Sequence, residues 1–231
     1  MRFTEIDIPR DIKVSDYYNK RNTLSYGNTG KPIRFQIPKM YMPFGISGFT
    51  PEIGPTKWNI DFSIAGWNQD GGYTKIFYDF LKKLEEFIFS EIKKNSIEIF
   101  GVAQSDINLK NIFNSNIKET PPGHGSYDPK FRVKVDTDSD GFIKPNIFDV
   151  NENNITSEAF KGLYKGFTGV STIELSSIYY MNKKFGLTWK LCQMKVFEPQ
   201  RLHGFQFNIP DEGEDEDEEE SAKVSGFQFQ I

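Results

Sequence analysis

The stretch SSIYYMNKKFGLTWKLCQMKV (Ser176 to Val196) mixes aromatic and cationic side chains along what its spacing predicts to be two strands and a turn. Tyr180 and Trp189 offer flat π-faces, with Lys183, Lys184, Lys190 and Lys195 beside them. YDPKFRVKV (Tyr127 to Val135) adds Arg132 and Lys134 on one parity of a short strand, and IPKMYMPFGI (Ile37 to Ile46) adds Tyr41 and Phe44 in a proline-interrupted loop. Rings beside a cationic groove are what unpaired bases and their phosphates require. Any base can stack on a ring, and Lys or Arg neutralises the backbone. A plainer reading stands beside this one: lysine at alternate positions is the ordinary solvated face of a strand, and most phenylalanine is core.

Other chemistry finds little support. His124 and His203 lack Cys, Asp or Glu partners at metal-ligand spacing. DTDSDGFIKPNI (Asp136 to Ile147) opens like a calcium loop, but its twelfth residue is Ile147 where a bidentate Glu is needed, so a hairpin turn is expected. No phosphate-cradling loop, nucleophile elbow or carboxylate pair occurs. The expectation is a binding protein without catalysis, metal or cofactor.

The elements that must position these residues follow from periodicity. KWNIDFSIAGW (Lys57 to Trp67) alternates, with Trp58, Ile60, Phe62 and Ile64 on one face and Lys57, Asn59, Asp61 and Ser63 on the other. YTKIFYDFLKKLEEFIFSEIKKN (Tyr73 to Asn95) repeats apolar residues at three and four and predicts one long helix. Val170 to Asn182 and Phe185 to Phe197 read as the strongest strands, with a parity switch near Leu191 that calls for a bulge. Gly101 to Lys130 reads mainly as loop, and residues 1–32 as a loosely held, turn-rich arm. Five to seven short strands with one inserted helix predict a mainly β protein built as a small barrel.

With 231 residues and a single cysteine, Cys192, the chain needs no disulfide and fits a reducing compartment. It has no apolar run long enough for a membrane span and no signal-like leader, so an intracellular protein without membrane partners is expected.

Charge divides the chain. Residues 1–210 carry 27 basic and 23 acidic side chains, a net of +4, while the remainder carries −8. The acidic run includes Asp215, Glu216, Asp217, Glu218, Glu219 and Glu220 and is expected to be a disordered tail. Its tip, GFQFQI (Gly226 to Ile231, with Phe227 and Phe229), repeats GFQFNI (Gly204 to Ile209) almost letter for letter. An exposed alternating hexapeptide is an aggregation hazard unless it docks, so the tip is expected to bind a partner, the protein's own body or a second copy.

The order IPKMYMPFGI, helix, YDPKFRVKV, SSIYYMNKKFGLTWKLCQMKV and acidic tail resembles the single-stranded DNA-binding proteins of short-tailed coliphages, in the branch carried by nucleocytoplasmic large DNA viruses. The likeness covers residues 33–231 and divides the chain into an arm (1–32), a binding domain (33–203) and a tail (204–231). It implies an OB-fold, a Greek-key barrel with one inserted helix. It also implies a role in viral DNA replication, recombination and repair, in the host cytoplasm (viral factory) or nucleus. The tail would compete with DNA, recruit replication proteins such as a DNA polymerase or helicase-primase, and support a homodimer by exchange. The tail departs from that pattern in one respect, because Gln230 and Ile231 follow its last aromatic. On the residues alone, a histone-chaperone-like interaction module using the acidic tail is the alternative. Tail deletion would weaken a chaperone's binding and tighten that of a DNA binder.

Overall fold

The structure, a computed structural model, describes residues 1–121, 123 and 126–199. His124, His203, both hexapeptides and all the acidic tail residues named above lie outside the described residues. In chain order the elements are α1 (Ile8–Asp11), β1 (Ile12–Val14), β2 (Arg21–Tyr26), β3 (Ile33–Gln36), β4 (Met40–Tyr41), β5 (Ile46–Phe49), β6 (Lys57–Ser63), α2 (Tyr73–Lys94), α3 (Ser96–Phe100), α4 (Asp106–Ile112), β7 (Phe113–Asn114), β8 (Ile117–Lys118), β9 (Lys130–Val135), β10 (Asn146–Phe148), β11 (Thr168–Met181) and β12 (Lys184–Phe197). The protein is mainly β, with a few helices.

A ring of strands closes on itself. β11 pairs antiparallel with β3 and β4, β4 with β6, β6 with β9 and β11 with β12, while β9 meets β12 in parallel at Lys134 and Lys190. Inward residues on alternate positions fill it: Ile60 and Phe62 from β6, Phe131 and Val133 from β9, and Trp189 from β12 are all buried. α2 carries Phe77, Phe80, Leu81, Leu84, Ile88 and Ile92 on its buried face. Phe77 packs edge-on against Phe131 at 5.5 Å and Phe80 against Phe35 at 5.5 Å, joining helix and ring in one aromatic core. Lys93 and Lys94 end α2 where the helix dipole favours positive charge.

Two extra residues interrupt the long β11–β12 hairpin. Cys192 is unmatched between the pairs Ile173↔Leu191 and Thr172↔Gln193, which is the bulge predicted beside Leu191. Ser176 is unmatched between Leu175↔Trp189 and Ser177↔Thr188. This second bulge shifts the parity of β11, so Ile178 is buried and Tyr179 falls on the outward parity.

Three expectations need correction. Residues 1–32 are no loose arm: Phe3 is 1% exposed and lies 5.1 Å from Phe77, and β2 pairs with β11 through Thr23↔Ser177. The apolar residues Phe3, Ile12 and Leu24 hold this segment down despite its polar, turn-rich composition. The strands also number twelve among the described residues, because short pieces such as β7 and β8 extend the sheet. Gly101 to Lys130, expected mainly as loop, contains α4, capped by Ser105 Oγ accepting from Asn108 N–H, as well as those two strands.

The calcium-like stretch is a turn, as expected. Asp138 Oδ1 accepts the backbone N–H groups of Asp140 and Phe142, so its carboxylate is engaged in the loop itself. Two hairpin turns share one chemistry. Asn19–Lys20 (φ 48° and 59°) and Asn182–Lys183 (φ 53° and 60°) each place both central residues in the left-handed region, as a type I′ turn requires. The N–H of Tyr180 donates to the Lys20 carbonyl at 3.1 Å, so the two turns lie side by side at one end of the sheet.

Candidate nucleic-acid interface

The outward parities of β6 and β9 meet in register as Asn59↔Lys134, Asp61↔Arg132 and Ser63↔Lys130. Arg132 forms a bidentate pair with Asp61, Nε to Oδ1 at 2.7 Å and Nη2 to Oδ2 at 2.8 Å. The Asp61 side chain is only 3% exposed and that of Arg132 43%. The hydrogen bonds and charge of Asp61 push the Arg132 pKa up, against the burial that would lower it. Lys118, on neighbouring β8, donates to Asn114 Oδ1 (2.9 Å) and the Ser115 carbonyl (2.5 Å). Burial, and then the charge of Arg132, pull its pKa below the ordinary lysine value. Lys134 and Lys190 lie side by side on parallel strands, and Asp136 bridges them at 2.5 and 3.8 Å.

Two adjoining grooves open on this face. The smaller, about 310 Å³, is lined by Lys57, Lys118, Arg132 and Lys134 together with Asn114, Asn116 and Tyr179, and among the described residues by no acidic side chain. The larger, about 790 Å³, is lined by Tyr18, Lys20, Arg21 and Met181, with Asp16 its one acid among the described residues. Both grooves include Lys57, Lys134, Tyr179 and Thr188, which makes them one continuous surface. Tyr18 is 83% exposed beside its turn, and Tyr179 lies half-buried where the grooves join. By contrast, the cavity between the N-terminal segment and α2 is mainly apolar, with Asp79, Lys83 and Glu86 at its margin.

The residues expected from sequence are scattered by the fold. Lys134 lines the surface. Arg132 also lines it, but its charge is already matched by Asp61. Trp189 is 2% exposed, edge-on to Phe35 and Phe131, and is core rather than a stacking platform. Removing such a ring costs about 3–5 kcal/mol, more than the roughly 1–3 kcal/mol one stacked base returns, so Trp189 stays inside. Tyr180 borders the larger groove but is only partly exposed: its ring packs between Tyr17, Phe100 and Phe185, and its hydroxyl donates to Asn22 Oδ1 at 2.6 Å. Burial pushes that phenol pKa up.

Lys183 and Lys184 are exposed in the turn beside Lys20 and Arg21. Tyr41 and Phe44 are exposed further along the same outward face, where Tyr41 pairs with Ser63 and Lys130 Nζ lies 5.7 Å from the Phe44 ring centroid. Lys190 is half-buried beside Asp136. Lys195 lies toward the other end of β12, paired with Glu152 at 3.3 Å in a separate cavity with Phe148 and Phe197, and is not brought to this surface. The sequence reading missed Tyr18, Tyr179, Lys20, Arg21, Lys57 and Lys118. For Lys57 the signal existed, because its polar parity on β6 was legible. For Tyr179 it was hidden by the unpredicted bulge at Ser176.

No family model matches the chain, and no curated protein matches it. Among solved structures, the chain is similar to gp2.5, a single-stranded DNA-binding protein encoded by bacteriophage T7, at 14% identity, covering 84% of this chain and 100% of that one with a TM-score of 0.44. It is also similar to the single-stranded DNA-binding protein of bacteriophage Enc34 in complex with ssDNA, at 11% identity, covering 84% and 98% of the two chains with a TM-score of 0.39.

Proposed function

We propose that this protein binds single-stranded DNA without regard to sequence, on the surface that joins the two grooves, and that its strand ring is an OB-fold. The carrying observation is the continuous groove in which Lys20, Arg21, Lys57, Lys118 and Lys134 surround Tyr18 and Tyr179. Cations at this density attract a polyanion, and outward tyrosines give unpaired bases somewhere to stack, which a duplex does not offer. Tyr41, Phe44 and Lys130 extend the same face and would lengthen the path of the strand. Lys183 and Lys184 would meet phosphates at the turn end. The ring order supports the fold assignment, with one parallel contact between β9 and β12 closing otherwise antiparallel neighbours.

The proposal extends to the rest of the chain on sequence grounds. The acidic run with Phe227 and Phe229 would compete with DNA and engage replication proteins or a second protomer, and the protein would serve viral replication, recombination and repair. The test is a titration of the full chain with oligo-dT and with duplex DNA across a salt series. Tighter binding to oligo-dT is expected, and with about four phosphates neutralised, log K should fall against log salt with a slope near −3. Equal binding to duplex, or no salt dependence, would reject the reading. Deleting residues 211–231 should then raise affinity at low salt, by removing a tethered polyanion.

A further inference from the structure

We infer that Gly186 and Asn114 are positioning residues that hold Tyr179 as a fixed platform for a base. The inference rests on the single-strand reading above and names the device by which this surface would present its central ring.

Gly186 lies directly opposite Tyr179 in the β11–β12 hairpin. Its φ is not in the left-handed region, so the backbone does not demand glycine here. Space demands it. A Cβ on Gly186 would stand 2.7 Å from the Tyr179 hydroxyl oxygen, 2.8 Å from its Cζ and 2.8 Å from the Asn114 carbonyl oxygen, closer than real Cβ atoms approach. The phenol therefore lies over bare backbone, in the manner of an aromatic covering a strand glycine.

The second support comes from β7, which runs parallel beside β12 with Asn114 in register with Gly186. Asn114 Nδ2 donates to the Tyr179 hydroxyl at 2.7 Å, and Asn114 Oδ1 accepts from Lys118 Nζ at 2.9 Å. The missing Cβ thus admits both the ring and the strand that pins its far end, and the same asparagine links the ring to a groove cation. A ring held this way loses little rotamer freedom when a base stacks on it, so more of the stacking energy reaches affinity. Tyr18, 83% exposed, pairs across its turn with Arg21 rather than with a glycine.

The test is a set of double-mutant cycles on the full chain, read by anisotropy of labelled oligo-dT, with thermal melts alongside. Gly186→Ala and Asn114→Ala should each weaken binding by about fivefold or more, toward the low end of what one stacked base contributes. In a Tyr179→Ala background, each should add less than about twofold, because the ring they serve is gone. A merely structural role would instead lower the melting temperature and give losses that multiply. Losses that multiply, or unchanged affinity in both single variants, overturn the inference while leaving the single-strand reading intact. Should Gly186→Ala not fold, the Asn114→Ala cycle decides alone. If the wild-type chain fails to bind oligo-dT, or Tyr179→Ala binds as tightly as wild type, the inference falls because Tyr179 is no platform.

Discussion

Asp61 and Arg132 face each other across β6 and β9 with both carboxylate oxygens and two guanidinium nitrogens engaged, and the carboxylate of the pair is the buried partner. Arg132 therefore has a structural duty that a free phosphate contact would not have. Arg132→Ala strands a buried charge, and the expected cost is about 3 kcal/mol, the low end for a broken buried pair because the guanidinium is partly in solvent. For a chain of this size the melting temperature should drop by roughly 6–12 °C. Arg132→Ala with Asp61→Ala should recover part of that loss. If Arg132→Ala melts like wild type yet loses DNA affinity, the arginine is a phosphate contact first.

Tyr179 and Tyr180 are sequence neighbours held by different partners, Asn114 and Asn22. Tyr179→Ala should cost about 1–3 kcal/mol of oligo-dT affinity and little stability. Tyr180→Ala empties a packed position and leaves Asn22 without its hydroxyl donor, so it should lower the melting temperature first. Trp189→Ala should destabilise by about 3–5 kcal/mol. Parallel melts and titrations separate the three, and a stable Trp189→Ala protein with weakened binding would contradict the burial argument.

Asp136 occupies the position between Lys134 and Lys190 that a phosphate would have to share. Asp136→Asn should tighten oligo-dT binding about two- to fivefold at low salt, the factor matching the ~0.4–1 kcal/mol of a partly exposed ion pair. The gain should shrink as salt rises. Unchanged affinity would mean that neither lysine meets the strand.

Lys118 adds a pH dependence. Its pKa is depressed in the folded protein, so folding releases a proton once pH passes that lowered value, and the unfolded chain then holds more protons than the native one. Stability should rise slightly with pH from there to the ordinary lysine value. Affinity for DNA should fall over the same window, because the neutral amine no longer attracts phosphate. Lys118→Met should bind more weakly at neutral pH and lose that part of the alkaline decline. An identical pH profile in the variant would place Lys118 outside the interface.

Local periodicity alone determined the main frame. Two-residue alternation marked β6, β9 and both long strands, three-and-four spacing marked α2, and the parity switch near Leu191 announced the Cys192 bulge. It also separated the polar stripe of Lys57, Asn59 and Asp61 from the apolar one, because side-chain direction along a strand is set by the backbone itself. Which aromatics face outward was beyond it. One unmatched residue, Ser176, shifts the parity of β11 and brings Tyr179 out in place of Tyr180, and nothing in its local composition distinguishes it from an ordinary strand serine. Tyr18, Lys20 and Arg21 reach the groove only because β2 pairs with β11, more than 150 residues away in the chain. Arg132 found its carboxylate 71 residues upstream, and Lys195 was carried toward the opposite end of β12. Alternation is a property of neighbours in sequence, whereas bulges, strand partners and buried charges are decided by what the closed ring brings opposite each residue.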